Sequence, residues 1–220
     1  MSRRSEAREN NSVKSEKLGK ANKKYYKENQ KMLKVTGLCK EYPSFSLKNV
    51  GFEVPDGCIT GFIGRNGAGK TTTLKSVMRT VIPSGGKVEI NGLDMRENET
   101  ELKKRISFTT GTFNYYKFKK LKTIARSYAV FYEDFDFNVF NSYAEKFELN
   151  LNKRVNELSA GMSVKFSLAL ALSHRAEIFI FDEPTSGLDP VAREEILDLF
   201  TEIVSDGKKS ILFSTHITED

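Results

Sequence analysis

The chain has 220 residues, with 35 Lys/Arg against 29 Asp/Glu and a formal net charge of +6. That charge is local: residues 1–34 hold 11 basic and 4 acidic side chains, while the other 186 residues hold 24 and 25. A body near neutrality removes the compositional case for nucleic-acid binding. Two cysteines make no disulfide framework, and no run reaches the roughly 20 apolar residues that a bilayer crossing needs.

In chain order, residues 1–32 are rich in Ser, Asn, Lys and Glu, which predicts a basic, disordered tail. Its alternative use is attraction to an anionic membrane surface. The N-terminus has no apolar stretch of signal-peptide type. Order is expected from Leu33. Val50, Phe52 and Val54 alternate with small or polar residues, the period of a half-buried strand, and Pro55-Asp56-Gly57 closes it with a turn. Ile59–Ile63 is a short apolar strand that runs into glycines. From Lys70 the period changes: Leu74, Val77, Met78 and Val81 lie on one helical face, stopped by Pro83-Ser84-Gly85-Gly86. Val88–Ile90 and Ile106–Thr109 read as strands.

Residues 113–150 are aromatic-rich, with Ile124, Tyr128, Phe131 and Tyr132 at helical spacing, which predicts a buried or partner-facing helix face. A helix is expected over Met162–Ser173 and an apolar strand over Ile178–Phe181. Ile196, Leu199, Phe200, Ile203 and Val204 mark another helix, and Ser210–Thr215 the last strand. Strands alternating with helices predict an α/β domain built on a largely parallel sheet.

Two motifs carry chemistry. Gly64-Arg65-Asn66-Gly67-Ala68-Gly69-Lys70-Thr71 matches G-x-x-x-x-G-K-[ST] between a strand and a helix. Glycines let backbone N–H groups curl around phosphate oxygens, and the helix that follows points its positive end at the same anion. Lys70 is placed to reach β- and γ-phosphates. The Thr71 hydroxyl is placed to help hold Mg²⁺, with Thr72 beside it in the first turn. The second motif is Ile178-Phe179-Ile180-Phe181-Asp182-Glu183, an apolar strand that delivers two carboxylates to the sheet edge where ligands of open α/β sheets sit. Asp182 is the candidate Mg²⁺ holder and Glu183 the candidate general base for an attacking water.

With these motifs in place the chain resembles an ATP-binding cassette domain, the ATPase subunit of an ABC transporter, over residues 33–220. Leu158-Ser159-Ala160-Gly161-Met162 resembles the signature L-S-G-G-Q. Ser186-Gly187-Leu188-Asp189-Pro190 resembles the D-loop. His216 follows the last strand as the switch histidine does. Tyr42 stands 22 residues before Gly64, where the family carries an aromatic that stacks on adenine.

The resemblance implies a P-loop NTPase fold with a parallel core sheet, an antiparallel β subdomain and an inserted helical subdomain at about 112–175. It implies ATP and Mg²⁺ as ligands, and a second cassette as partner, because Ser159 and Gly161 of one protomer cap the nucleotide held by the other. Asp189 would help join the halves, and His216 would contact the γ-phosphate. It also implies separate membrane-spanning permease subunits, a peripheral place at the cytoplasmic face of the membrane, and Phe113, Tyr115, Tyr116 and Phe118 as candidates for a groove that accepts a membrane subunit.

Two departures stand out. Gly111 occupies the position of the family's Gln after the strand at Ile106–Thr109, and the signature has Ala160 and Met162 in place of Gly and Gln, as in exporters of the ABC-2 type. The chain stops four residues after His216, where cassettes commonly continue, so an incomplete C-terminal end is expected.

The competing reading is an ABC-type ATPase acting on ribosomes or DNA without membrane subunits. A single cassette, and 89 residues without heptads between Lys70 and Ser159, argue for the transporter reading. A kinase or GTPase is disfavoured by the signature and by the lack of an N-K-x-D motif.

Overall fold

Among the described residues, which in this computed structural model are 31–110, 116–174 and 176–216, eight strands form two sheets. The basic tail, Gly111, Phe113 and Tyr115 lie outside them. β1 (Lys31–Tyr42) and β2 (Phe45–Pro55) form an antiparallel pair. β2 has the expected alternation, with Val54 buried and Gly51, Glu53 and Pro55 exposed. After the turn at Asp56-Gly57 comes β3 (Ile59–Ile63), and after the glycine loop α1 (Lys70–Val77).

α1 ends earlier than its apolar spacing predicts. Arg79 takes a left-handed φ of 52°. Its N–H donates to Ser76 O and the Thr80 N–H to Lys75 O, each at 3.0 Å. This double bond pattern closes a helix with a left-handed residue, so Val81 lies beyond the end and does not extend the buried row of Leu74, Val77 and Met78.

β4 (Gly85–Ile90) and β5 (Leu93–Asp94) complete the antiparallel sheet in the order β2-β1-β4-β5. The sequence signal at Gly85-Gly86 marks the start of β4 rather than a loop. α2 (Glu99–Lys104) leads into β6 (Ile106–Thr110). Next come α3 (Leu121–Ala129), α4 (Phe137–Lys146) and α5 (Ala160–Leu172). α3 buries Leu121, Ile124 and Ala125, but Phe131 is 81% exposed. The helix has already ended at Ala129, so the helical spacing that put Phe131 on the buried face no longer applies there.

β7 (Ile178–Asp182), α6 (Pro190–Val204) and β8 (Ser210–Thr215) are the last of the described elements. The second sheet has the order β3-β8-β7-β6 with every pair parallel. β7 is buried along its whole length, as the central strand of a covered parallel sheet must be. Its alternation feeds two cores. Phe179 and Phe181 pack with α5, α6 and Phe213, while Ile178 and Ile180 pack with α1, β1 and Leu212. Each such side chain contributes about 1.5–3 kcal/mol on burial. The register aligns the C-terminal strand ends, with Thr110 opposite Asp182, Asp182 opposite Ser214, and Ile63 opposite Thr215.

Candidate functional site

The aligned strand ends decide which side chains meet. The loop after β3, the acids at the end of β7 and the residue after β8 emerge along one edge of the parallel sheet. The Gly64 N–H is tied to Thr215 O at 3.1 Å. Gly67 and Gly69 take φ values of 80° and 95°, a region that side chains with a Cβ disfavour. At Gly69 a Cβ would also stand 2.5 Å from Leu47 Cδ2 and 2.6 Å from Phe45 Cζ, so those two side chains would have to shift. Gly69 is also the N-cap of α1. It offers no side-chain cap, and the first turn holds no acidic residue. The amide donors of that turn therefore face outward with the positive end of the helix, a site suited to an anion.

Lys70 is only 7% exposed. Its ammonium donates to Gly64 O and, at 3.3 Å, to Arg65 O, and it lies 3.0 Å from Glu183 Oε1. Glu183 Oε2 is 2.7 Å from His216 Nδ1. An ionised carboxylate only accepts, so Nδ1 carries the proton of that bond. Glu183 sits one residue past β7 with a left-handed φ of 55°. Its side chain thus turns back between the phosphate-loop lysine and the histidine. Thr71 Oγ1 donates to Asp182 Oδ2 at 2.8 Å. Around these groups lies a cavity of about 340 Å³, lined by Arg65, Asn66, Thr72, Ser186 and others of the loop.

One hydroxyl and one carboxylate oxygen held together are a donor set suited to Mg²⁺, which takes few protein ligands and keeps water and phosphate for the rest. Among the described residues no group of three or more His, Cys, Asp or Glu is gathered to hold a metal by itself.

The other residues singled out in the sequence lie apart from this cavity. Ser159 caps α5, its Oγ accepting the Met162 N–H at 3.2 Å. Asp189 caps α6, accepting the Ala192 N–H at 3.0 Å, with Pro190 in the first turn. Ser159, Gly161 and Asp189 line a second cavity of about 310 Å³ that shares no residue with the first. Tyr42 is 41% exposed and not among the residues lining the phosphate-loop cavity. Its ring stacks on Phe45 at 6.5 Å, and Phe45 is the aromatic that does line it.

Sequence reasoning missed Phe45 and Ser214. Ser214 Oγ donates to Asp182 Oδ1 at 2.7 Å and accepts the Glu183 N–H at 3.0 Å. It missed His174 too, a buried histidine whose ring stacks on Tyr132 at 4.1 Å. Burial lowers its pKa from 6.5 to about 4. Neither ring nitrogen has a hydrogen-bond partner among the described residues.

The family model described as ABC transporter matches residues 47–186, more than half of the chain. The ABC transporter ATP-binding protein YtrB of Bacillus subtilis (strain 168) is 31% identical over 177 residues, covering 79% of this chain and 59% of YtrB. The bacitracin transport ATP-binding protein BcrA of Bacillus licheniformis is 31% identical over 195 residues, covering 86% of this chain and 63% of BcrA. The chain therefore spans about three fifths of the length of these two relatives. A solved structure of an ATP-binding subunit of an ABC transporter superposes with a TM-score of 0.75 at 28% identity, covering 86% of this chain and 80% of that one.

Proposed function

We propose that this chain, which belongs to the ABC transporter family, is an ATP-hydrolysing subunit that powers transport through separate membrane-spanning subunits. The observation that supports this most directly is the meeting of Lys70, Thr71, Asp182, Glu183 and His216 at one sheet edge, beside uncapped amides of α1. In this reading the loop amides and Lys70 bind the β- and γ-phosphates of ATP. Phosphate oxygens take the place of Glu183 on the lysine. Glu183, held by His216, then accepts the proton of the water that attacks the γ-phosphorus, and ADP leaves with the electrons of the broken bond. Mg²⁺, bound through Thr71 and Asp182, supplies neutralisation of charge on the phosphates. Tyr42 and Phe45 together form the apolar platform for adenine.

The partner is a second cassette. Ser159, Gly161 and Asp189 line a cavity separate from that of this chain's own phosphate loop, which fits a role toward nucleotide held by another protomer. None of the described helices is long and apolar enough to cross a membrane. In this reading the transported molecule passes through other chains, at whose cytoplasmic face this subunit docks. Tyr116 and Phe118, 71% and 74% exposed, offer an apolar surface for that docking. Export is the direction favoured by the altered signature, with Ala160 and Met162.

Affinity purification from native membranes tests the reading. Co-purification of a polytopic membrane protein supports it. Recovery with ribosomes or DNA would favour an ATPase working away from the membrane.

A further inference from the structure

Asp182 has two carboxylate oxygens and two hydroxyl partners, and only one of these, Thr71, belongs to the phosphate-loop motif. The other, Ser214, follows the apolar run Ile211-Leu212-Phe213 near the end of β8 and is fully buried. The parallel register sets it opposite Asp182. Its proton has one destination. The Glu183 N–H is a donor, shared between Ser214 O at 3.1 Å and Ser214 Oγ at 3.0 Å, so Oγ accepts there. The ionised Asp182 carboxylate only accepts, so the hydroxyl hydrogen points at Oδ1, 2.7 Å away. With Oδ1 held, Oδ2 is the oxygen turned toward Thr71 Oγ1 at 2.8 Å.

We propose that Ser214 is a positioning residue that locks the Asp182 carboxylate with Oδ2 toward the metal site, and so sets the affinity of the nucleotide complex for Mg²⁺. The proposal rests on the reading of Asp182 as a Mg²⁺ holder and adds a residue that touches neither metal nor nucleotide. The physical need is plain. The terminal torsion of an aspartate is soft and roughly two-fold, so a carboxylate held through one oxygen alone samples a range of orientations. Mg²⁺ demands near-ideal geometry at short distance and tolerates that range poorly. Ser214 also joins the two acids: its hydroxyl holds the side chain of Asp182, and its hydroxyl and carbonyl oxygens share the N–H of Glu183, where φ is left-handed. Thr can supply the same hydroxyl from a strand position, where β-branched residues are favoured. Ala cannot.

The test uses the full chain with Mn²⁺ as the metal probe. A fluorescent ATP analogue first measures nucleotide affinity in EDTA. Electron paramagnetic resonance of free Mn²⁺ then measures metal affinity of the nucleotide complex, for wild type, Ser214→Ala, Ser214→Thr and Asp182→Asn, with circular dichroism as the check on folding. Ser214→Ala should keep wild-type ATP affinity in EDTA and a wild-type spectrum, yet bind Mn²⁺ about tenfold more weakly, as loss of an outer partner of a metal ligand does. Ser214→Thr should restore most of that affinity. If Asp182→Asn weakens Mn²⁺ binding while Ser214→Ala leaves it unchanged, the positioning role is wrong and the metal assignment stands. Equal Mn²⁺ affinity in Asp182→Asn and wild type overturns both. Loss of ATP affinity in EDTA, or an altered spectrum, in Ser214→Ala and Ser214→Thr alike shows a role in the fold instead and overturns the proposal.

Discussion

Lys70 and Glu183, 113 positions apart in the chain, face each other with ammonium and carboxylate 3.0 Å apart. The lysine is 7% exposed, and its charge is met by this carboxylate and two loop carbonyls. In the proposed reading, phosphate and Glu183 compete for this one cation, which would tie the base to nucleotide binding.

Glu183→Gln follows from that competition. The amide retains the shape, loses the base and relinquishes the ion pair with Lys70. Hydrolysis should fall by about 10²–10⁴-fold, the range for removal of a general base. Affinity for ATP should be equal to or greater than that of wild type, because the lysine no longer has a carboxylate to leave. Turnover by phosphate release and affinity by titration calorimetry check the two halves. Unchanged turnover would remove Glu183 from the role of base.

Ser159→Ala separates a local role from a shared one. The Met162 N–H loses its acceptor, which costs about 1 kcal/mol for a helix N-cap and lowers Tm by roughly 2–4 °C at this domain size. Nucleotide affinity of the dilute chain should be unchanged, since Ser159 does not line the phosphate-loop cavity. Hydrolysis at high protein concentration should collapse, where that of wild type rises faster than linearly with concentration. Strictly linear hydrolysis by wild type would count against paired cassettes.

His174 gives stability a pH dependence of known sign. Its pKa in the folded chain is lowered to about 4 by burial, against an attractive but smaller influence of Asp134. The folded state holds the ring neutral, while the unfolded chain takes up a proton below about 6.5. The contribution is thus fully present above pH 6.5 and lost as pH falls toward 4, on the order of 3 kcal/mol in all. His174→Phe keeps a ring against Tyr132 and removes the titration. Urea midpoints measured between pH 7 and pH 4.5 should fall less in the variant than in wild type. Parallel slopes would contradict the account.

Much of the architecture was legible because the relevant signals are local. β3 and β8 were read at their observed bounds, since short apolar runs end where glycines or turn residues begin. The phosphate loop was legible because backbone curvature there demands glycine at fixed spacing. α1 was read too long because Val81 continues the apolar period after Arg79 has already left the helix, and periodicity carries no information on which residue turns left-handed. β1 went largely unread. Its pairing shifts register near Leu33 and again around Leu38, which breaks the alternation that marks a strand. Ser214 was invisible for a different reason. A serine in an apolar strand looks incidental until parallel pairing sets it against Asp182, and that pairing joins residues 32 positions apart. Phe45 escaped notice because Tyr42 already filled the expected aromatic place, and only the approach of Phe45 to Gly69 reveals which ring lines the cavity.

The most direct test of the central claim is calorimetric titration of Mg·ATP into wild type and Lys70→Ala, with circular dichroism showing both folded. The account predicts measurable binding by wild type and loss of it in Lys70→Ala, because the lysine supplies the buried charge that meets the phosphates. Equal affinity in the two folded proteins would contradict the assignment of this sheet edge as the ATP site.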